Sequence, residues 1–171
     1  SADEHVEGGY TFEETLVLAK ALAELGVTHF DISSASRLSF KNFIPDIDGT
    51  NMKYAKAIKE ATGLPVLCNN IAEPQNMLKA IEEGYCDVIN LCRALMADPD
   101  IPNKIKDGKV DKIVKCTRCY VCTLRLTVYR PAKCLVNPNV GRERYMPEYW
   151  RPAVAPRCKE DLLPPEIHKR K

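Results

Sequence analysis

The chain contains no run approaching the ~20 consecutive apolar residues of a membrane-spanning helix. No signal peptide is expected from its opening, Ser1-Ala-Asp-Glu-His5, which lacks a basic region followed by an apolar one. A chain that opens without Met is expected to be processed, trimmed or a fragment. A Gly-x-Gly-x-x-Gly fingerprint is missing, so no dinucleotide-binding module is expected within these residues. Charge of one sign is missing too. The 25 Lys and Arg against 23 Asp and Glu leave a net charge of +2, which points to neither nucleic acid nor a membrane surface as partner. Low-complexity runs are absent, and the only repeat is the alternation of helix and strand. What remains is an ordinary globular composition, 45% hydrophobic and 28% charged over 171 residues, long enough for one domain.

Cysteine is the exception to this ordinariness. Eight are present. Cys68, Cys86 and Cys92 sit in apolar, strand-like runs, and four of the others have the spacing of metal ligands. That distribution fits a reducing cytoplasm better than a secreted disulfide framework. Cys116, Cys119, Cys122 and Cys134 form the pattern C-x2-C-x2-C-x11-C. Three thiols in one tight run with a fourth at a distance can surround a compact cluster, and the first three repeat a ferredoxin spacing. Structural zinc sites more often take two separated pairs of ligands. The spacing favours an iron–sulfur cluster over zinc, and leaves four free thiols as the last of the three readings. A Lys-rich stretch (Lys104, Lys106, Lys109, Lys112 and Lys115) leads into this run. It is either a solvated basic face, or a patch that offsets cluster charge or docks an electron-transfer partner.

The first hundred residues alternate helix and strand. Thr11 with Glu14 reads as a capping box, Leu16, Ala19, Leu22 and Ala23 as an apolar face, and Gly26 as the stop. Val27 to Ile32 reads as a strand, and a loop follows from Ser33 to Gly49. The next helix starts near Thr50 or Asn51 with Met52, Ala55 and Ile58 on its face, and ends at Gly63. Leu64 to Cys68 is a second strand. Pro74 opens a third helix, faced by Met77, Leu78 and Ile81 and ended by Gly84, and Cys86 to Leu91 is a third strand. Short apolar strands separated by helices predict an α/β fold with a parallel sheet covered by helices. One or two helical turns are expected between Ala94 and Lys104. Three regions follow: 1–103 as the α/β part, 104–143 as the cysteine segment, and 144–171 as an irregular tail without a core of its own.

Several motifs resemble a known family. Ser1-Ala-Asp-Glu-His-Val-Glu-Gly-Gly9 before a capped helix is similar to the segment after the fifth strand of the flavin barrel in old yellow enzymes. Leu64-Pro-Val, Ala-Glu-Pro74, Gly84-Tyr-Cys-Asp-Val-Ile and Arg93-Ala-Leu-Met-Ala-Asp-Pro99 resemble its seventh and eighth strands with their flanks. The cysteines, followed by Cys134-Leu-Val-Asn-Pro138 and Gly141-Arg-Glu143, resemble the iron–sulfur branch, which includes 2,4-dienoyl-CoA reductases, enoate reductases and trimethylamine dehydrogenase. The resemblance covers about residues 1 to 143. It implies the C-terminal portion of a (β/α)8 TIM barrel, about strands 6–8, followed by an iron–sulfur segment. It implies FMN as cofactor and a [4Fe–4S] cluster on Cys116, Cys119, Cys122 and Cys134. It places the FMN phosphate at the loops after strands seven and eight, with Arg93 as the cation and the backbone of Asn70, Ile71 and Cys92 as donors. Cys68, Cys86, Cys92 and Cys158 are not expected among the ligands.

The chain also departs from that family. Dienoyl-CoA reductases carry a His after the sixth strand that helps protonate substrate, whereas here the region reads Ser33-Ser-Ala-Ser-Arg-Leu-Ser39. A Ser is a poor general acid near neutral pH. Arg37 either orients an anionic substrate or is a solvated loop charge. His5 lies near the barrel mouth, His29 is expected to be packed in a strand, and His168 is in the tail, so no proton donor is assigned. Asn70 stands where many members have Arg or Gly, and Cys92 where they often have Gly or Ala. The expected function is a fragment, inactive alone, of an FMN- and [4Fe–4S]-dependent oxidoreductase reducing an activated C=C bond of a small-molecule substrate with NAD(P)H. FAD and NAD(P)H would then sit in a further module or on a partner. The alternatives are an amine dehydrogenase of the trimethylamine dehydrogenase type, favoured by the C-x2-C-x2-C spacing, and a non-catalytic iron–sulfur or zinc-binding module.

Overall fold

A computed structural model describes residues 1–35 and 45–143. The expectations for Arg37, Cys158, His168 and the tail from residue 144 fall outside the described residues. The chain divides into two compact units, Ser1–Leu91 and Cys92–Lys171.

The first unit begins with helix α1 (Phe12–Glu24). Its capping box is complete: the Glu14 N–H donates to Thr11 Oγ1 at 3.3 Å, and the Thr11 N–H donates to Glu14 Oε2 at 2.9 Å. Two of the helix's otherwise unbonded N–H groups are thereby satisfied. At the other end the Val27 N–H returns to the Leu22 carbonyl, with Gly26 left-handed at φ +94°. This closure takes Val27 into the helix stop, so strand β1 is shorter than the sequence suggests, Phe30–Ile32. Helix α2 (Met52–Thr62) buries Met52, Tyr54, Ala55 and Ile58, the expected face with Tyr54 added. Gly63 ends it in the left-handed conformation that a Cβ would strain.

Strand β2 (Val66–Cys68) starts late because Pro65 has no N–H for a ladder. Helix α3 (Pro74–Glu82) buries Met77 and Ala80, while Leu78 and Ile81 are 58% and 46% exposed. The sequence reading put Leu78 and Ile81 on the buried face. The helical period instead aligns Met77 with Ala80, three residues on, and turns Leu78 roughly 100° away. Strand β3 (Val88–Ile89) is also short, because the Cys86 N–H is bonded to the Ala80 carbonyl at the end of α3.

The three strands form one parallel sheet in the order β1-β2-β3, with Phe30 opposite Val66 and Leu67 opposite Val88. Val66 and Cys68 are fully buried, and α2 packs on β2. Asp31, Leu67 and Val88 share the other face, where Asp31 is exposed and Val88 is 47% exposed. There Asn90 Nδ2 donates to Asp31 Oδ1 at 2.8 Å, joining the outer strands. His29 lies ahead of β1 rather than in it. It is exposed, with Nδ1 3.0 Å from Thr28 Oγ1, so it is not the packed residue expected.

The second unit carries short helices: α4 (Arg93–Ala97), α5 (Ile101–Lys106), a 3-10 turn (Val110–Lys112) and α6 (Val121–Thr127). Its core holds a charge pair. Asp98 and Lys104 side chains are 0% and 2% exposed, with Nζ 2.6 Å from Oδ2. Among the described residues no helix is long and apolar enough to cross a membrane.

One carboxylate ties two elements of the first unit together. Asp87 Oδ1 accepts from Lys59 Nζ at 2.7 Å and Oδ2 accepts from the Val66 N–H at 2.9 Å. The Lys59 ammonium and then the Val66 N–H hold its carboxyl below the ordinary carboxylate range. A carboxyl lowered on folding adds stability above its unfolded pKa of about 3.9, and that stability fades as pH falls through the folded value. The pair is partly exposed, so Asp87→Asn is expected to cost only about 0.5–1 kcal/mol at pH 7. Urea unfolding at pH 7 and near pH 3 checks this: the gap between parent and variant closes at the lower pH.

Candidate functional site

The C-terminal ends of β1 and β2 carry a laced polar network in the first unit. The buried Ser34 Oγ donates to Asn51 Oδ1 at 2.6 Å, and Asn51 Nδ2 donates to Asn69 Oδ1 at 2.5 Å. Asp48 accepts from the Ala72 and Glu73 N–H groups and from Asn76 Nδ2, at 2.7, 3.2 and 2.8 Å. Asn70 is left-handed at φ +60°, a conformation that Asn tolerates better than most side chains. That suits an Asn at the position where the resemblance has Arg or Gly. Its side chain donates to the Ile47 carbonyl and Thr50 Oγ1, at 3.0 and 2.7 Å, and its carbonyl accepts from Gly49. The side chain is thus spent on the loop that precedes α2, and any anion would have to use the backbone. Ile71 is buried beside it in sequence, at 1% exposure.

A second cluster at this end had no signal in the sequence. The Tyr54 hydroxyl lies 3.3 Å from Asp3 Oδ2 and 3.5 Å from His5 Nε2, and His5 Nδ1 lies 3.3 Å from Asp3 Oδ1. Phe12 packs on the Tyr54 ring with centroids 4.7 Å apart. Burial raises the Tyr54 hydroxyl above its usual range; Lys53 opposes this and Asp3 adds to it. The cluster is a hydrogen-bonded acid–base group built from residues about 50 apart in the chain, a juxtaposition that only folding creates.

In the second unit Cys92 is exposed and Arg93 opens α4. The Arg93 guanidinium carbon lies 5.6 Å from the centre of the Tyr120 ring, within cation–π range. Tyr120 falls between Cys119 and Cys122, so the expected phosphate-binding cation and the cysteine run are in contact within this unit. Arg118 and Tyr120 are both left-handed, at φ +53° and +59°, and wind the run into a tight loop. The Arg118 N–H donates to Cys116 Sγ at 3.4 Å. The Val121 N–H, with Thr117 assisting, holds the Cys119 thiol below its ordinary range.

Cys116, Cys122 and Cys134 are half-buried and Cys119 is exposed, all as free thiols. The sequence reading has their sulfurs converging on one point. Among the described residues no group of three or more His, Cys, Asp or Glu side chains is arranged to hold a metal ion. A thiol ligates a metal only as the thiolate, so metal uptake and proton release go together. The donor chemistry does fit a thiolate-bound cluster: four thiols in one unit, two of them already accepting or favoured by N–H groups that stabilise a charged sulfur. Cys68 and Cys86 belong to the first unit's core. Burial, with Cys86 nearby, pushes the Cys68 thiol up to about 12, and burial raises Cys86 as well.

Residues 1–112 match the NADH:flavin oxidoreductase / NADH oxidase family. The chain belongs to that family. An NADH oxidase of Thermoanaerobacter brockii is 36% identical over 149 residues, which is 84% of this chain and 23% of the relative. Among solved structures, a 2-naphthoyl-CoA reductase in complex with 2-naphthoyl-CoA superposes at a TM-score of 0.76 with 29% identity, over 82% of this chain and 22% of that one. Histamine dehydrogenase from Rhizobium sp. 4-9 gives a TM-score of 0.74 with 25% identity, over 84% and 21%. The chain therefore spans less than a quarter of each of these relatives. Membership of this flavin oxidoreductase family supplies the α/β frame and gives FMN as the cofactor of the family. It leaves the four thiols as the feature of this chain with the most chemistry of its own.

Thiol reactivity checks this geometry. At pH 7 in the folded, metal-free chain, iodoacetamide is expected to modify Cys119 ahead of Cys116, Cys122 and Cys134, since the thiolate is the nucleophile. Cys68 and Cys86 are expected to react only after denaturation. Peptide mapping by mass spectrometry over a time course reads the order.

Proposed function

We propose that this chain is the C-terminal barrel portion, about strands 6–8, and the iron–sulfur segment of an FMN- and [4Fe–4S]-dependent oxidoreductase that reduces an activated C=C bond of a small molecule with electrons from NAD(P)H. The observation that carries the reading is the stacking of Arg93 on Tyr120, which brings the residue assigned to the flavin phosphate against the loop that holds three of the cysteines. Bound FMN supplies hydride exchange, and the cluster supplies single-electron steps.

The chain's own residues have narrower tasks. Arg93 neutralises the phosphate with a charge-assisted bond, and Tyr120 limits where its guanidinium can swing. Asn70, Ile71 and Cys92 offer backbone N–H groups, each assigned from its place after a strand. Cys116, Cys119, Cys122 and Cys134 are the cluster's thiolates, and FAD and NAD(P)H belong to a further module or a partner. The second reading, amine oxidation, is favoured by the C-x2-C-x2-C spacing and by the likeness to histamine dehydrogenase.

Two measurements test the proposal. Anaerobic reconstitution with iron and sulfide is expected to give about four iron per chain, as a [4Fe–4S] cluster requires; stoichiometric zinc without iron would sink it. In the whole protein, Arg93→Ala is expected to weaken FMN binding by about 1.5–3 kcal/mol, roughly tenfold or more in affinity. Flavin retention equal to the parent's would remove Arg93 from the site.

A further inference from the structure

We infer that the buried Asp98–Lys104 pair is a positioning device for the cluster, one that delivers the first cysteine to the end of α4 on which Asn137 fixes the other arm. The inference rests on the iron–sulfur reading. Two of the three bonds left over after the pair has formed go to the chain that leads into Cys116. Asp98 Oδ2 accepts from Lys104 Nζ and also from the Val114 N–H, at 2.6 and 2.8 Å. Lys104 Nζ donates in addition to the Lys112 carbonyl at 2.8 Å. Asp98 Oδ1 accepts from the Asp100 N–H at 3.1 Å, which fixes the turn between α4 and α5. Two charges with almost no water access therefore hold the backbone at residues 112 and 114, and Cys116 follows two residues later.

The other arm arrives at the same place. Asn137, three residues after Cys134, donates from Nδ2 to the Met96 carbonyl at 2.8 Å, and its Oδ1 accepts from the Asn139 N–H at 3.1 Å. Met96 and Asp98 are neighbours at the C-terminal end of α4. The approach to the first thiol and the exit from the fourth are thus both fixed to one short stretch, and the eleven residues between Cys122 and Cys134 need not set the separation themselves. Burying a charge pair is a poor route to stability, because desolvation offsets much of the attraction and apolar residues of similar size do as well. A pair that sends two of its three further bonds to the cysteine approach makes sense as a geometric constraint.

That distinction supplies the test. The 171-residue chain and its variants are reconstituted with iron and sulfide. Loss of the cluster's visible absorption to a ferrous chelator is then timed beside urea unfolding. Asp98→Leu with Lys104→Met replaces the pair by apolar groups and removes the anchors at 112 and 114. This double variant is expected to stay folded without urea, yet to lose its cluster roughly tenfold faster, the scale seen when groups supporting metal ligands are removed. Val114→Pro removes the N–H that Asp98 accepts while keeping both charged partners, so it decides the matter if the double variant does not fold. It too is expected to lose its cluster faster. Cluster lifetimes equal to the parent's in a folded variant would overturn the inference alone. A parent chain that takes up no iron would overturn the iron–sulfur reading, and this inference with it, before any variant is compared.

Discussion

The first unit depends on β2 being paired along both edges. Val66 and Cys68 have no solvent exposure on the strand that α2 packs against, and β1 and β3 have no sheet partner among the described residues except β2. Every residue assigned to the ends of the strands inherits its place from this ladder. Asn69 and Asn70 leave β2 directly. Ser34 reaches them through Asn51, and Asp48 binds the start of α3 to the preceding loop. A slip of one residue in β2 would turn Val66 and Cys68 away from the helices and carry the polar network with them.

Much of this could be read in the residues. The Thr11–Glu14 box, the Met52–Ala55–Ile58 face and the glycine stops are local, and local chemistry decides them. Strand lengths were not legible. Val27 and Cys86 have strand-like side chains, but their N–H groups are taken by the ends of α1 and α3. Leu78 and Ile81 were misread because hydrophobicity names a candidate face, whereas packing selects which row of it meets the sheet. The Asp3–His5–Tyr54 cluster was invisible for another reason: it joins a loop to a helix half a hundred residues away, and nothing in either stretch marks the other.

The second unit shows the complementary case. The cysteine spacing is explicit in the sequence, while what orders it is not. Lys104 reads as one more solvated Lys in a basic stretch, yet it is 2% exposed and bonded to a buried carboxylate. Arg93 and Tyr120 lie 27 residues apart, in motifs that suggest different cofactors, and their contact joins those motifs. A family motif can name the ligand residues. The supports of those ligands have to be found as hydrogen bonds.

The Asn90–Asp31 bond has a consequence for the shape of the sheet. Neighbouring strands are about 4.8 Å apart, so β1 and β3 are separated by roughly twice that with β2 between them. Two of the shorter polar side chains span this gap with a bond of 2.8 Å. Such a bridge draws the outer strands together on the side away from the helices and favours a sheet concave toward that side. Concavity is additive: each further strand laid down with the same bend continues the arc, and enough of them return to the start. Three strands therefore already hold, in one side-chain bond, the sense in which a longer sheet would curl.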